Sequence, residues 1–341
     1  MKNNKEPAST GNTSELSGAA SSKSKNSTIT LFDAIKDFQS TLQKYDLGCP
    51  AIYADKGIQR FKVESDKGNA KSGWYIFYTN IHNFAAAYGN WKTGLNETWY
   101  FSKNNAPLSV EERRQLKQIY DDAQKKQLAK TEKQYVKARR IANSVWSNGS
   151  PASPNHPYLI KKHCTAASKS LRQTKDNLLV PLYNKKRLVS IQYINKHGGK
   201  FFAKGSQLKG SYFKFGNLKK SFEQVFICEG ISTGWTVHVL SNHTPVFCAM
   251  NASNLKAVAI GVRKRWADSQ IIICADNDVR ESRDILNTGV EEAMKAALAV
   301  NGRVSIPNMP DGSKCDFNDL YVLAVESHRK SDGGAVSYEN T

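Results

Sequence analysis

Between residues 223 and 326 the chain alternates short apolar runs with longer amphipathic stretches. QVFIC precedes ISTGWTVHVL, and PVFCAM precedes a segment through NLKAVAIGVRKRWA. QIIICADND precedes ILNTGVEEAMKAALAVNG, and RVSIP precedes DGSKCDFNDLYVLAV. Short apolar strands followed by amphipathic helices predict a mostly parallel sheet with helices on both faces.

The pattern upstream is different. LLVPLYNKKRLVSIQYINKHGGKFFAKG reads as strand, turn, strand, turn, strand. In GWYIFYTNIHNFAAAYGNWKTGLNETWYF, Trp74, Phe77, Phe84, Trp91 and Trp99 alternate with polar residues, which predicts a small antiparallel unit. LFDAIKDFQSTL is a short helix before it. Ser109 with Glu112 three residues on forms a capping box that opens a long charged helix ending near Trp146. Its apolar residues recur at Leu116, Ile119, Tyr120, Ala123, Val136, Ile141 and Val145, the pattern of a solvated connector with one packed stripe. SNGSPASPN then breaks the helix. The expected organisation is a disordered tail over 1–28, an aromatic-rich module over 29–105, the connector over 106–150, a small α+β subdomain over 151–221, the α/β domain over 222–328 and a flexible tail over 329–341.

Charge sharpens this division. The 341 residues carry a formal net charge of +19, which signals a polyanionic partner, nucleic acid before an acidic membrane surface. Residues 156–220 hold fifteen Lys and Arg against one acid, Asp176, whereas residues 223–326 hold thirteen acids against nine bases. Such an imbalance exceeds what solubility needs and predicts a phosphate-binding platform, with Lys185, Lys186, Arg187, Lys200, Lys204 and Lys209 as candidates. Trp74 and Trp91, interleaved with lysines, either stack single-stranded bases or belong to the core of their module, the commoner use of such aromatics. Six cysteines scattered singly, without a CxxC pair, argue against a zinc finger and for reduced core thiols. No run approaches the roughly 18 apolar residues of a membrane span, and the N-terminus lacks the apolar core of a signal peptide, so a cytoplasmic location is expected.

The acids of the α/β region fall at strand ends. Glu229 follows VFIC, Asp276 and Asp278 follow IIICA, and Asp316 and Asp319 lie in the loop after RVSIP. In such sheets ligands sit beyond the carboxyl ends of the strands. Two carboxylates roughly 4 Å apart repel by about 4 kcal/mol at an effective dielectric near 20, so either one keeps its proton or a divalent cation lies between them. An oxygen-rich donor set favours Mg²⁺ or Mn²⁺ over zinc. Asp276 and Asp278 share a side while Asn277 faces away. The blander readings are turn chemistry for Asp-Asn-Asp and a capping box for Asp316 with Asp319. It is the coincidence of three strand ends, beside a strongly basic region, that favours a site.

These residues resemble a known family. EG after the first strand, DND after the third and the following DFND are similar to the Toprim domain of primases, type IA and II topoisomerases and some nucleases. The order HPYL, LLVPL, LVSIQYI, GKFFAKG ahead of it, with GWY and YGNWKTG further upstream, resembles the Toprim primases of bacteriophages and conjugative plasmids, relatives of the bacterial DnaG core. The likeness covers about residues 50–325. It implies a Rossmann-like Toprim fold, with Glu229 as the family's invariant glutamate, Asp276 and Asp278 as the metal pair and Asp316 and Asp319 as further metal or water ligands. It also implies that Lys200 and Lys204 hold template or incoming nucleotide. The implied activity is Mg²⁺-dependent synthesis of short RNA primers on single-stranded DNA from nucleoside triphosphates. A Toprim nuclease, or a non-catalytic single-strand-binding accessory protein, remains the alternative. The chain departs from DnaG in having no cysteine-based zinc module, and no GxxxxGK[ST] loop is present, so a separate helicase is expected.

Overall fold

The computed structural model describes residues 30–66, 68–79, 83–102, 110–278 and 287–331. The expected tail over 1–28, residues 332–341 of the expected tail over 329–341, the cap Ser109 and the side chains of Leu116, Ile119, Tyr120 and Ala123 lie outside the described residues, whereas 329–331 continue a helix. The chain forms two compact units that divide at Gln127/Leu128.

The first unit begins with α1 (Leu31–Lys44), whose capping box is made by Thr30 and Asp33. Four strands follow, β1 (Gln59–Phe61), β2 (Gly73–Thr79), β3 (Asn83–Asn90) and β4 (Leu95–Ser102), in an antiparallel sheet of that order. Period-two alternation places Tyr75, Phe77, Tyr88 and Trp99 on the face that meets Ala34, Phe38 and Leu42 of α1. Phe38 is fully buried, and its ring lies 5.0–5.9 Å from those four. Trp99 also donates from Nε1 to Asp37 at 2.8 Å. Most of the aromatic pattern is therefore core. Trp74 is 2% exposed and packs with Ile76 and Ala87, so it has no free face for a base. Trp91, tilted against it at 5.3 Å and 55% exposed, does present one.

The connector is a single helix, α2 (Val110–Asn148). Its packed stripe in the second unit runs through Ala142, Val145 and Trp146 against Leu179 and Ile191, whereas Ile141 points to solvent. Small alanines let the helix lie close to a sheet, and a β-branched residue one position away faces outward.

The sheet beneath it contains β5 (Ser150–Pro151), β6 (Arg172–Thr174), β7 (Asn177–Asn184), β8 (Arg187–Ile194) and β9 (Lys200–Phe202), antiparallel throughout. A short helix, α3 (Pro157–Lys161), precedes β6. Next come β10 (Phe213–Phe215) and then β11 (Gln224–Cys228), α4 (Ile231–Leu240), β12 (Val246–Cys248), α5 (Leu255–Arg265), β13 (Gln270–Cys274), α6 (Thr288–Leu298), β14 (Arg303–Ser305) and α7 (Phe317–Ser331). The five strands of this second sheet lie in the order β10-β12-β11-β13-β14, and all neighbours are parallel except β10 with β12.

The mostly parallel α/β sheet expected from the sequence is thus present, with two differences. Its antiparallel edge, β10, comes from residues placed in the basic subdomain. The boundary near 222 is also not a break in packing, because one core joins Leu178, Val180 and Leu182 of β7 to Phe213, Cys228, Ile231 and Cys248. Both have one cause: the inner face of β7 carries leucine and valine, which must be buried, and the α4 face of the second sheet is the surface that buries them. On the opposite face Val225, Ile227, Ile271 and Ile273 pack against Val258, Val262, Ala293 and Ala297 of α5 and α6.

The described cysteines are all free thiols. Cys228, Cys248 and Cys274 line the α4 face, where a Cβ on Gly234 would strike the Cys248 sulfur. Cys49 departs from the core-thiol expectation and is exposed. No helix among the described residues is long and apolar enough to cross a membrane.

Candidate functional site

The connection from β11 turns one way, through α4 to β12, and that from β13 turns the other way, through α6 to β14. The crevice between the ends of β11 and β13 is therefore the switch point where open α/β sheets bind ligands. Cys228 and Cys274 are paired across it, so Glu229 leaves β11 opposite Ala275, and Asp276 follows one residue on. Gly230 caps α4 and lets the chain turn immediately after Glu229.

Asn277 does face away from its two aspartates. It is buried, its Nδ2 donates to the Pro307 carbonyl at 2.9 Å, and its Oδ1 accepts from Asn287 at 2.8 Å. Asn287 in turn caps α6 by accepting from the Val290 N–H. Backbone bonds of 2.8 and 3.0 Å between Asn277 and Cys315 draw the later loop onto this one and set Asp316 beside the cluster. A Cβ on Gly289 would collide with the Asp276 carbonyl, so α6 approaches this loop as closely as glycine permits.

The electrostatics follow from this crowding. Burial pushes the Asp276 carboxyl up to about 8, and the charges of Glu229, Asp316 and Asp278 add to the effect while Lys200 opposes it. Glu229 is likewise raised, first by burial and then by Asp278, against the pull of Lys200 and the Ala252 N–H. Lys200, the first residue of β9, comes from the basic sheet and sits over the Tyr158 ring at 5.7 Å. It is the cation common to both acids. Of the other basic candidates, Lys185, Lys186, Arg187, Lys204 and Lys209 are exposed.

Asp319 behaves differently from the other four acids. One oxygen accepts from the Asp316 N–H at 3.1 Å and the other from Lys162 at 2.8 Å, while Asp316 accepts from the Asp319 N–H at 2.9 Å. This is the capping box of α7. Burial alone would raise the Asp319 carboxyl, but Lys162 and the Asp316 N–H outweigh it and hold it below its usual range. Asp319 thus serves as a cap and an ion-pair partner. Asn318, fully buried beside it, donates to the Lys162 carbonyl at 2.8 Å and to Thr236 at 3.0 Å. Lys162 and Asn318 carried no recognisable signal as site residues, because what defines them is contact across more than 150 residues of chain. Asn318→Ala is expected to cost about 1–3 kcal/mol through the polar groups it orphans, readable as a shift in a urea unfolding midpoint; an unshifted midpoint contradicts the assignment.

The donor chemistry fits an oxygen-seeking divalent cation. Asp276 Oδ1 is buried without a hydrogen-bond partner, and the repulsion among the four acids is offset by one lysine. Among the described residues, however, no three His, Cys, Asp or Glu side chains are gathered tightly enough to hold an ion as they stand.

Residues 224–325 match the Toprim domain family. Over 279 residues the chain is 27% identical to a DNA primase TraC of Escherichia coli, covering 79% of this chain and 26% of that protein. A second Escherichia coli DNA primase TraC is 26% identical over 280 residues, covering 79% and 19%. The chain thus spans about a quarter or less of these relatives. Among solved structures, a DNA primase domain from Pseudomonas aeruginosa overlaps 47% of this chain and 51% of its own at 12% identity, with a TM-score of 0.33. The Aquifex aeolicus primase, zinc-binding and RNA polymerase domains together, overlaps 87% and 84% at 12% identity and a TM-score of 0.32. Both overlays are too loose to support an argument.

Proposed function

We propose that the protein is a DNA primase that joins ribonucleotides into short primers on a single-stranded DNA template, in plasmid or phage replication. The observation that carries this reading is the cluster of Glu229, Asp276, Asp278 and Asp316 at the switch point, with Lys200 reaching into it from a basic sheet. Glu229, Asp276 and Asp278 would hold Mg²⁺ or Mn²⁺, with Asp316 beside them. Such an ion neutralises triphosphate charge and favours ionisation of an attacking 3′ hydroxyl. Glu229 either ligates that ion or accepts the proton of the attacking hydroxyl. Lys200 offers a positive charge to a phosphate that the carboxylates alone would repel, and Lys204 and Lys209 extend that charge toward the template. A separate helicase would supply the single strand.

The similarity to the TraC primases supports this reading over that of a nuclease or a passive coating protein. The test is incorporation of labelled ribonucleotides on single-stranded templates with Mg²⁺, beside release of fragments from labelled DNA without nucleotides. Incorporation that requires Glu229 is the expected result. Fragment release without incorporation would replace the primase by a nuclease.

A further inference from the structure

Among the described residues, several cations of the basic region are engaged in structural roles. Arg172 donates to the Trp146 and Ser147 carbonyls, Lys162 pairs with Asp319, Lys196 with Asp176, and Lys214 donates to the Gly216 carbonyl. A different group faces a cleft of about 440 Å³ lined by Arg139, Arg140, Asn143, Lys186, Arg187 and Leu188. Among the described residues none of its four cations makes an ion pair with an acid.

The cleft is held in shape from behind. Ala142 of α2 packs on Leu179 and Ile191, and Asn143 donates to the Arg139 carbonyl at 2.8 Å and the Leu188 carbonyl at 3.3 Å. The arginines are thereby fixed against the hairpin. The turn itself runs against local preference. Lys185 and Lys186 have φ of 45° and 67°, a two-residue turn whose usual occupants are Asn-Gly. Two adjacent like charges in the left-handed region serve the turn poorly and an anion well.

The position of the cleft separates it from the reacting centre. Lys200 pairs with Ile194 at one end of β8, and Arg187 is at the other. Seven residue steps, one of them taken up by a bulge, put them roughly 20 Å apart. On the face of β8 that carries Ile191 and Tyr193, Phe201 is 50% exposed and stacks on Tyr193 at 4.9 Å and 7°. An exposed aromatic face suits an unpaired base.

We propose that Arg139 and Arg140 of α2, with Lys186 and Arg187 of the hairpin, clamp the sugar-phosphate backbone of a single-stranded nucleic acid at a point remote from the carboxylate cluster. The clamp rests on the primase reading and adds α2 to the template path.

The test is anisotropy of a labelled oligothymidylate long enough to cross the sheet, titrated with the full chain in EDTA at several salt concentrations. Arg139→Gln with Arg140→Gln is expected to weaken binding about tenfold or more and to reduce the salt slope by about 1.4, two phosphate contacts at roughly 0.7 each. Lys185→Asn with Lys186→Gly restores the preferred turn, so it should raise the melting temperature while weakening binding, a combination that a structural role alone does not produce. The control, Lys256→Gln with Lys264→Gln on α5, removes the same charge and should leave the slope unchanged. Wild-type affinity and slope in both clamp variants overturn the clamp and leave the primase reading intact. An equal loss in the control also overturns it, reducing the effect to bulk charge. A wild-type chain that binds no single strand at all brings down both.

Discussion

Glu229→Gln and Asp276→Asn are each expected to slow Mg²⁺-dependent ribonucleotide incorporation by about 10²–10⁴-fold, yet Asp276→Asn should withstand heating better than wild type when metal is chelated. Both outcomes have one origin. Asp276 is pushed up to about 8 by burial and by three neighbouring acids, far above the ordinary 3.8. Between those pH values the folded chain binds a proton that the unfolded chain releases. Stability therefore declines as pH rises from about 4 and has lost this contribution once pH passes about 8. A shift of this size corresponds to a few kcal/mol, and each kcal/mol to about 2–4 °C in a unit of this length. Asparagine keeps the shape and removes the charge, so its melting curve in EDTA should be flatter with pH and several degrees higher at pH 8. A variant that melts below wild type there would show that the four acids do not strain one another. Adding Mn²⁺ should restore the wild type and leave the variant nearly unmoved.

Phe38→Ala is expected to dissolve the first unit, at a cost of about 3–5 kcal/mol. Phe38 is wholly buried at the centre of Tyr75, Phe77, Tyr88 and Trp99, and few other side chains join α1 to the sheet. Such a deletion consumes much of the 5–15 kcal/mol that stabilises a typical domain. Hydrogen exchange should show β2 and β3 losing protection while β11 and β13 keep theirs, since the second unit has separate cores. Retained protection in β2 would mean that the aromatic cluster contributes far less than its packing indicates.

The first unit also shows where pattern reading runs out. Alternation along GWYIFYT identified a strand with two unlike faces, but not which face α1 would cover. Trp74 and Trp91 both look like base platforms in a linear pattern, and only burial tells them apart. Similarly, the spacing of Asp316 and Asp319 fits a ligand pair and a capping box equally well. The structure shows the capping box, and Lys162, far away in the chain, satisfies one oxygen of Asp319.

The sequence by itself determined the strands and helices of the Toprim region, the concentration of positive charge ahead of it and the strand ends at which Glu229, Asp276 and Asp278 stand. These are local consequences of periodicity and composition. Tertiary structure alone decided that β10 completes the sheet, that the Asn277–Cys315 bridge carries Asp316 to the cluster, that Lys200 arrives from the neighbouring sheet and that α2 lies on the basic hairpin. Each depends on hydrogen bonds or buried contacts between distant segments, whose free energy is realised only when the whole core closes and which therefore leave no periodic trace along the chain.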